Sequence, residues 1–206
     1  MSRQTARLSP AKREQILDGA KSVFREAGYQ RASVDAIAAR ARVSKATIYN
    51  HFRDKEALFL ATVDLENQEA RQRFVSLLET PSGDIEADLR SIGRQLLRLA
   101  ASPASVLRFR IVTAEAGRFP ELCRSLYECG ILVGRAKMAT FFGRAAELGM
   151  LRVDDLEGAA IDFASLCCDN LLRMLHLGVV AEATEELIAA EVDRAVRTFL
   201  RAYRAP

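Results

Sequence analysis

The chain has 206 residues, half of them hydrophobic and 28% charged, with a net charge of +3. Such a length can bury a sizeable core, and such a composition excludes a disordered or collagen-like chain. Its apolar stretches fall short of the ~18–20 residues of a membrane span, and MSRQTARLSPAKREQ lacks the apolar core of a signal peptide, so a cytoplasmic protein with reduced thiols and no membrane partner is expected.

Taken in order, residues 1–9 read as a flexible basic arm. Ser9-Pro10 is an N-cap followed by proline at the first helical position. The helix it opens has Ile16, Ala20, Val23, Phe24 and Ala27 on its inner face and ends at Gly28. Ser33 caps a second helix with Val34, Ile37, Ala38 and Ala41 on one face. Ser44 caps a third, Lys45 to about His51, which is too polar for its length to be a core element. Ile48 and Phe52 turn inward, while Lys45, Ala46, Thr47, Tyr49, Asn50 and His51 surround it. A short cationic helix held by its neighbour suits the major groove of DNA. Asp54 caps a long fourth helix, expected to run to about Glu79, and Thr80-Pro81-Ser82-Gly83 is a clear break. Five further helices follow: Asp84 to about Ala101, Ser102 to about Gly117, Phe119 to about Leu148, Asp154 or Asp155 to about Leu177, and Thr184 to Tyr203.

The segment SVDAIAARARVSKATIYNHF, from Ser33 to Phe52, with GYQRAS before it and RDKEALF after it, resembles the N-terminal domain of TetR-like transcriptional regulators. The match runs through Gly28-Tyr29, Ser33, Val43-Ser44-Lys45, Thr47, Tyr49, His51-Phe52 and Lys55-Glu56-Ala57-Leu58. Arg42 departs from it, because that family usually has Gly in the turn. Gly tolerates positive φ, so Arg42 should strain the turn or remodel it. RIVTAEAGRFPELCRSLYE and LRVDDLEGAA resemble, more loosely, the C-terminal domains of the AcrR/AefR-type branch. The expected fold is all-α with about nine helices. A helix-turn-helix DNA-binding domain over 10–70 is joined by the long helix to a ligand-binding and dimerisation domain over 71–206.

Charge agrees with a DNA partner. Residues 1–60 hold twelve Lys/Arg and six Asp/Glu, a net of +6, and the remainder carries −3. A polyanion would be met by that basic end. Lys45 can donate to guanine or to phosphate, Ala46 can touch a thymine methyl, and Asn50 can read adenine. Thr47, Tyr49 and the Ser33 hydroxyl can reach phosphates or base edges. His51 and Lys55 are expected at the DNA backbone. One such helix reads too few base pairs for specificity, so a homodimer on an inverted-repeat operator is expected. Its interface is expected on the last two helices, through Leu171, Leu175, Ile188, Val192, Ala195 and Phe199.

A small apolar or amphipathic effector of unspecified identity is expected between the middle helices. The candidate lining is Phe74, Phe109, Val112, Glu115, Phe119, Tyr127, Phe141, Phe163, Cys167, Asn170 and Met174. Asp169 and Arg173, four residues apart, can pair. Cys123 and Cys129, and the adjacent Cys167 and Cys168, lack metal-ligand spacing. A cysteine-based redox sensor on the same scaffold is the alternative reading. The two histidines, His51 and His176, have no nucleophile arrangement beside them, and GxSxG, P-loop and GxGxxG motifs are absent. No enzyme and no cofactor is implied.

Overall fold

Eight short polar side chains set most of the helix starts in this structure. The computed structural model describes residues 9–205 apart from 67, 115, 118, 119, 121, 122, 125 and 126, and the side chains of 66, 68–70 and 129 are likewise outside it. The expected arm over residues 1–8, and the expected ligand residues Glu115 and Phe119, lie outside the described residues. The regular structure described is helical apart from an isolated bridge between Leu151 and Arg204.

The helices are α1 (Pro10–Arg31), α2 (Val34–Ala41), α3 (Lys45–His51), α4 (Lys55–Glu66), α5 (Gln68–Leu77), α6 (Ile85–Ala100), α7 (Pro103–Ala114), α8 (Val133–Glu147), α9 (Leu156–Leu177) and α10 (Glu185–Tyr203). Ser9, Ser33, Ser44, Asp54, Asp84, Ser102, Asp155 and Thr184 each accept a hydrogen bond from a backbone N–H in the first turn of the helix they precede. Each satisfies a donor that the helix start would otherwise leave unpaired. The expected fourth helix is described as α4 and α5, with residue 67 between them outside the described residues. The helix expected from Phe119 appears as α8, entered through a π-turn at Tyr127–Leu132. Gly28, at φ 73°, breaks the helical run of α1 where a stop is expected, and one further turn follows it.

The chain divides into two compact units, up to Asn67 and from Gln68 onward. In the first, α1 carries α2 on one side and α4 on another. Gly19 is the closest point: a Cβ there would lie 2.7 Å from the Ala41 Cβ. Gln15 reinforces the same crossing by donating from Nε2 to the Ala41 carbonyl at 2.7 Å. Phe24, Tyr29 and Phe59 form an aromatic cluster beneath, with centroids 5.0–6.0 Å apart. Ile16, Ile37, Ile48 and Leu58 complete a dry core.

In the second unit, the Phe142 ring lies against Phe141, Phe163 and Phe199, and Phe199 extends the stack to Tyr203. Gly93 of α6 lets α9 and α10 close in, since a Cβ there would meet Val192 at 2.9 Å and Cys167 at 3.1 Å. Arg98 grips Glu185 with two hydrogen bonds, at 2.9 and 2.6 Å, fixing the start of α10. Its end is tied where Arg152 N–H donates to the Tyr203 carbonyl at 2.8 Å.

This core corrects the expected interface. Leu171, Leu175, Ile188, Val192, Ala195 and Phe199 are each at most 4% exposed inside a single chain. They pack between α6, α8, α9 and α10, so they hold the unit together and do not face a partner. An apolar stripe at helical spacing is equally consistent with both placements, and here the intrachain core takes it.

Between α2 and α3 the turn is neither remodelled nor relaxed. Arg42 adopts the left-handed conformation, φ 51° and ψ 47°, and its N–H bonds back to the Ala38 and Ala39 carbonyls. Among the described residues it is the one non-glycine at positive φ. A side chain in that region costs roughly 1–2 kcal/mol, partly offset by the greater chain entropy glycine loses on folding. Arg42→Gly should therefore stabilise the protein by about 1 kcal/mol, read as a higher urea midpoint at unchanged slope.

Candidate nucleic-acid interface

The surface of α3 divides sharply. Ile48 is 1% and Phe52 5% exposed, and both are anchored in the first unit, with the Arg13 guanidinium 5.2 Å above the Phe52 ring. Lys45, Ala46, Tyr49 and Asn50 are exposed. Positions i, i+1, i+4 and i+5 share one helical face, so these four form a continuous strip with a cation, a methyl, a phenol and an amide. That is a set able to meet base edges.

The neighbouring polar groups do different work. The Ser33 hydroxyl caps α2 by accepting from Ala36 N–H at 3.1 Å. Thr47 is half-buried, with its Oγ1 2.8 Å from Ser44 Oγ, so it stiffens the entry to α3. His51 is also half-buried, and its Nδ1 is buried without a hydrogen-bond partner among the described residues.

Lys55 is placed otherwise than expected. Its ammonium donates to the Tyr29 carbonyl at 2.9 Å and the Ala32 carbonyl at 3.1 Å, and lies 4.5 Å from the Tyr29 ring centroid. It is a clamp that closes the segment after Gly28 onto the start of α4. Both carbonyls and a ring face engage it within the first unit.

Two ion pairs frame the strip, and neither was legible in the sequence. Lys45 Nζ lies 3.0 Å from Asp35 of α2, and this carboxylate bond raises the lysine's pKa. Arg40 forms a bidentate bond to Glu26, at 2.8 and 2.9 Å, and also reaches Ser22. The Arg40 hydrogen bond, followed by that of Ser22, holds the Glu26 carboxyl down at about 2. Both pairs are exposed, so each contributes little to stability and can be exchanged for a phosphate at small cost. Asp35 and Lys45 are ten residues apart on different helices, a separation that no local pattern reveals.

The described residues of the expected ligand set differ in their surroundings. Phe74, Phe141, Phe163 and Cys167 belong to the packed core of the second unit, and Val112 is buried as well. Phe109 is 41% exposed and stacks on His176 at 4.5 Å between centroids. Tyr127 is exposed, its hydroxyl accepting from Arg135 at 3.5 Å. Met174 sits at the rim of the core. Asn170 is exposed and donates to Glu191, while Asp169 and Arg173 pair at 2.6 Å as their spacing predicts. A cleft of about 500 Å³ does occur, lined from α9 by Asp162, Ser165, Leu166, Asp169 and Asn170 and from α10 by Arg194, Thr198, Phe199, Ala202 and Tyr203.

The thiols do not support a redox sensor. Burial, then the adjacent Cys168, pushes Cys167 far above the usual thiol range, and burial lifts Cys168 to about 12. Neither holds appreciable thiolate at neutral pH. Cys123 donates to the Val112 carbonyl at 3.3 Å. No helix among the described residues is long and apolar enough to cross a membrane.

Comparison with known proteins adds to this geometry. Residues 16–62 match the profile of bacterial regulatory proteins of the tetR family, and residues 87–205 match that of the AefR-like transcriptional repressor C-terminal domain. The helix-turn-helix-type transcriptional repressor Rv1474c of Mycobacterium tuberculosis is 49% identical over 51 residues, which is 25% of this chain and only 27% of that protein. The helix-turn-helix-type regulator YvkB of Bacillus subtilis is 27% identical over 177 residues, 85% of this chain and 90% of its own. Among solved structures, the flavonoid-responsive regulator FrrA superposes with a TM-score of 0.68 at 33% identity, covering 95% of this chain and 98% of that one.

The clamp at Lys55 makes a stability prediction. Lys55→Met should keep the packing of the alkyl stem but strip two carbonyls of their donor, costing about 1–2 kcal/mol. Urea unfolding followed by circular dichroism measures it; an unchanged midpoint would show that the ammonium is replaceable by solvent.

Proposed function

We propose a mode of action from a firm premise: the chain belongs to the TetR family of bacterial transcriptional regulators, with a C-terminal domain of the AefR-like type. It is a DNA-binding regulator. The finer reading is a repressor that sits as a homodimer on an inverted-repeat operator and leaves it when a small molecule binds. The observation that carries the DNA reading is the exposed strip Lys45, Ala46, Tyr49 and Asn50 on a helix whose opposite face is locked into the core. In this reading Asn50 and Lys45 meet base edges, Tyr49 reaches phosphate or base, and Ser33, Thr47 and His51 support the backbone approach. Two such helices about 34–36 Å apart would read successive major grooves.

The dimer uses the outward side of α9 and α10, not their buried stripes. The cleft between these helices supports the assignment: Leu166 and Ala202 line it, edged by Asp162 and Asp169 on one helix and Arg194 on the other. Under two-fold symmetry, the acidic edge of one copy can meet the basic edge of its mate. The DNA-binding domain is taken as residues 10–70 and the effector and dimerisation domain as 71–206. For the effector, the flavonoid response of the 33%-identical regulator supports a flat, aromatic, amphipathic molecule. It can act as a switch only by binding one arrangement of the dimer better than the other.

Operator selection from random duplexes, followed by anisotropy titration, tests the DNA reading. Asn50→Ala should relax preference at one base position per half-site by about 1–3 kcal/mol while leaving scrambled-sequence binding nearly unchanged. Equal wild-type affinity for selected and scrambled duplexes would refute sequence-specific reading.

Sedimentation velocity tests the dimer. Ala202→Glu, on the exposed side of α10, should yield a folded monomer by placing a carboxylate beside Asp162 in the buried junction. Phe199→Glu should instead lose the helical fold, because that ring is core. An Ala202→Glu protein that stays dimeric would move the interface elsewhere.

A further inference from the structure

Arg42 carries a conformational cost that no side-chain contact among the described residues recovers. It sits at φ 51°, ψ 47°, a region disfavoured for any residue with a Cβ. Glycine would take this turn without strain. Arginine is useful there only if its side chain does something, and within the chain it does not. The side chain is exposed, and it makes no ion pair, hydrogen bond or ring contact among the described residues.

Its neighbours differ. Arg40 is held by Glu26, Lys45 by Asp35, and Lys55 by two carbonyls. Arg53 pairs with Asp54 at 2.8 Å. Arg42 lies in the midst of them, two residues before the Ser44 cap that starts α3. It is the cation in this stretch that a polyanion can take without displacing an existing partner.

We propose that Arg42 is a phosphate anchor: as α3 enters the major groove, the guanidinium at the tip of the turn takes a DNA phosphate and repays the strained backbone on binding. The inference rests on the DNA-binding reading above and adds a contact outside the reader strip. A planar, permanently charged fork suits two oxygens of one phosphate. Strain held in the free protein and compensated in the complex is a recurrent arrangement at binding sites. The contact is independent of sequence, so Arg42 contributes affinity and register, and Asn50 and Lys45 supply discrimination.

The test uses the full chain and a fluorescent duplex of random sequence, titrated by anisotropy over a range of potassium chloride concentrations. Three variants separate charge from backbone. Arg42→Gly removes charge and strain, Arg42→Ala removes charge and keeps the strain, and Arg42→Lys keeps charge on a strained backbone. Glycine and alanine should each weaken binding at low salt and lower the slope of log K against log salt by roughly 0.9 per protomer bound. Lysine should keep the wild-type slope. Arg42→Gly should bind less while unfolding at higher urea than wild type, so misfolding cannot account for its loss. Wild-type slope in both the glycine and the alanine variants would overturn the proposal. Absence of any salt-dependent binding by the wild type would instead overturn the DNA reading on which it rests.

Discussion

The approach of α1 to α2 at Gly19 governs the first unit. With 2.7 Å between Ala41 and the position a Cβ would take, no larger residue fits at Gly19 without separating the helices. The end of α2 is thereby fixed, Gln15 holds the last carbonyl of α2, and the chain must reverse at once. That reversal is the left-handed turn at Arg42. It places Ser44 to cap α3, whose inner residues Ile48 and Phe52 then reach the core. The exposed strip is the remainder of a seven-residue helix whose other side is fully committed. A reader so short has little stability of its own, and its rigidity comes from tertiary packing.

Local chemistry made much of this legible. Ser9, Ser33, Ser44 and Asp54 announce helix starts because a short polar side chain ahead of a helix has one dominant use. The inward turn of Ile48 and Phe52 follows from period and polarity alone, whereas Thr47 and His51, expected around the helix with the rest, are half-buried. What escaped are relations between elements. Lys55 looked like a cation presented to DNA because its sequence position is at a helix start, yet the partners it finds are the carbonyls of Tyr29 and Ala32, more than twenty residues away. Asp35 was overlooked for the same reason. The helix-start rule predicts which backbone groups need partners, but not which distant side chain has the reach to supply them.

The second unit shows a different limit. On α9 and α10 the spacing gives one apolar side to the core and one to a partner, with Leu171, Leu175, Ile188, Val192, Ala195 and Phe199 on the partner side, and the structure packs these six against α6 and α8. A helix with apolar residues on more than one side has two faces to cover, and periodicity cannot say which neighbour covers which. Phe199 packs in the core against the Phe142 ring of α8, 5.1 Å between centroids, and Leu171 is buried in the same core. Three of the phenylalanines expected on a cavity wall, Phe74, Phe141 and Phe163, lie in the same core, while Phe109 stays 41% exposed. Aromatic side chains dispersed along a helical sequence are compatible with a pocket or with filled space, and here those three fill it.

On the proposed reading of α3, in which Lys45 meets base edges, its pairing with Asp35 bears on how the protein searches a chromosome. Free in solution, the leading cation of the reader is masked by a carboxylate 3.0 Å away. Any duplex must compete with that carboxylate before the lysine is released, and Asp35 then stands as an unpaired negative charge beside the incoming strand. A non-cognate sequence, offering only phosphates, gains little from the exchange. A cognate one adds hydrogen bonds at the base edges and pulls the equilibrium over. The carboxylate thus subtracts from every encounter alike, shortening residence on the vast excess of wrong sites and leaving the correct one to stand out by the margin its bases supply.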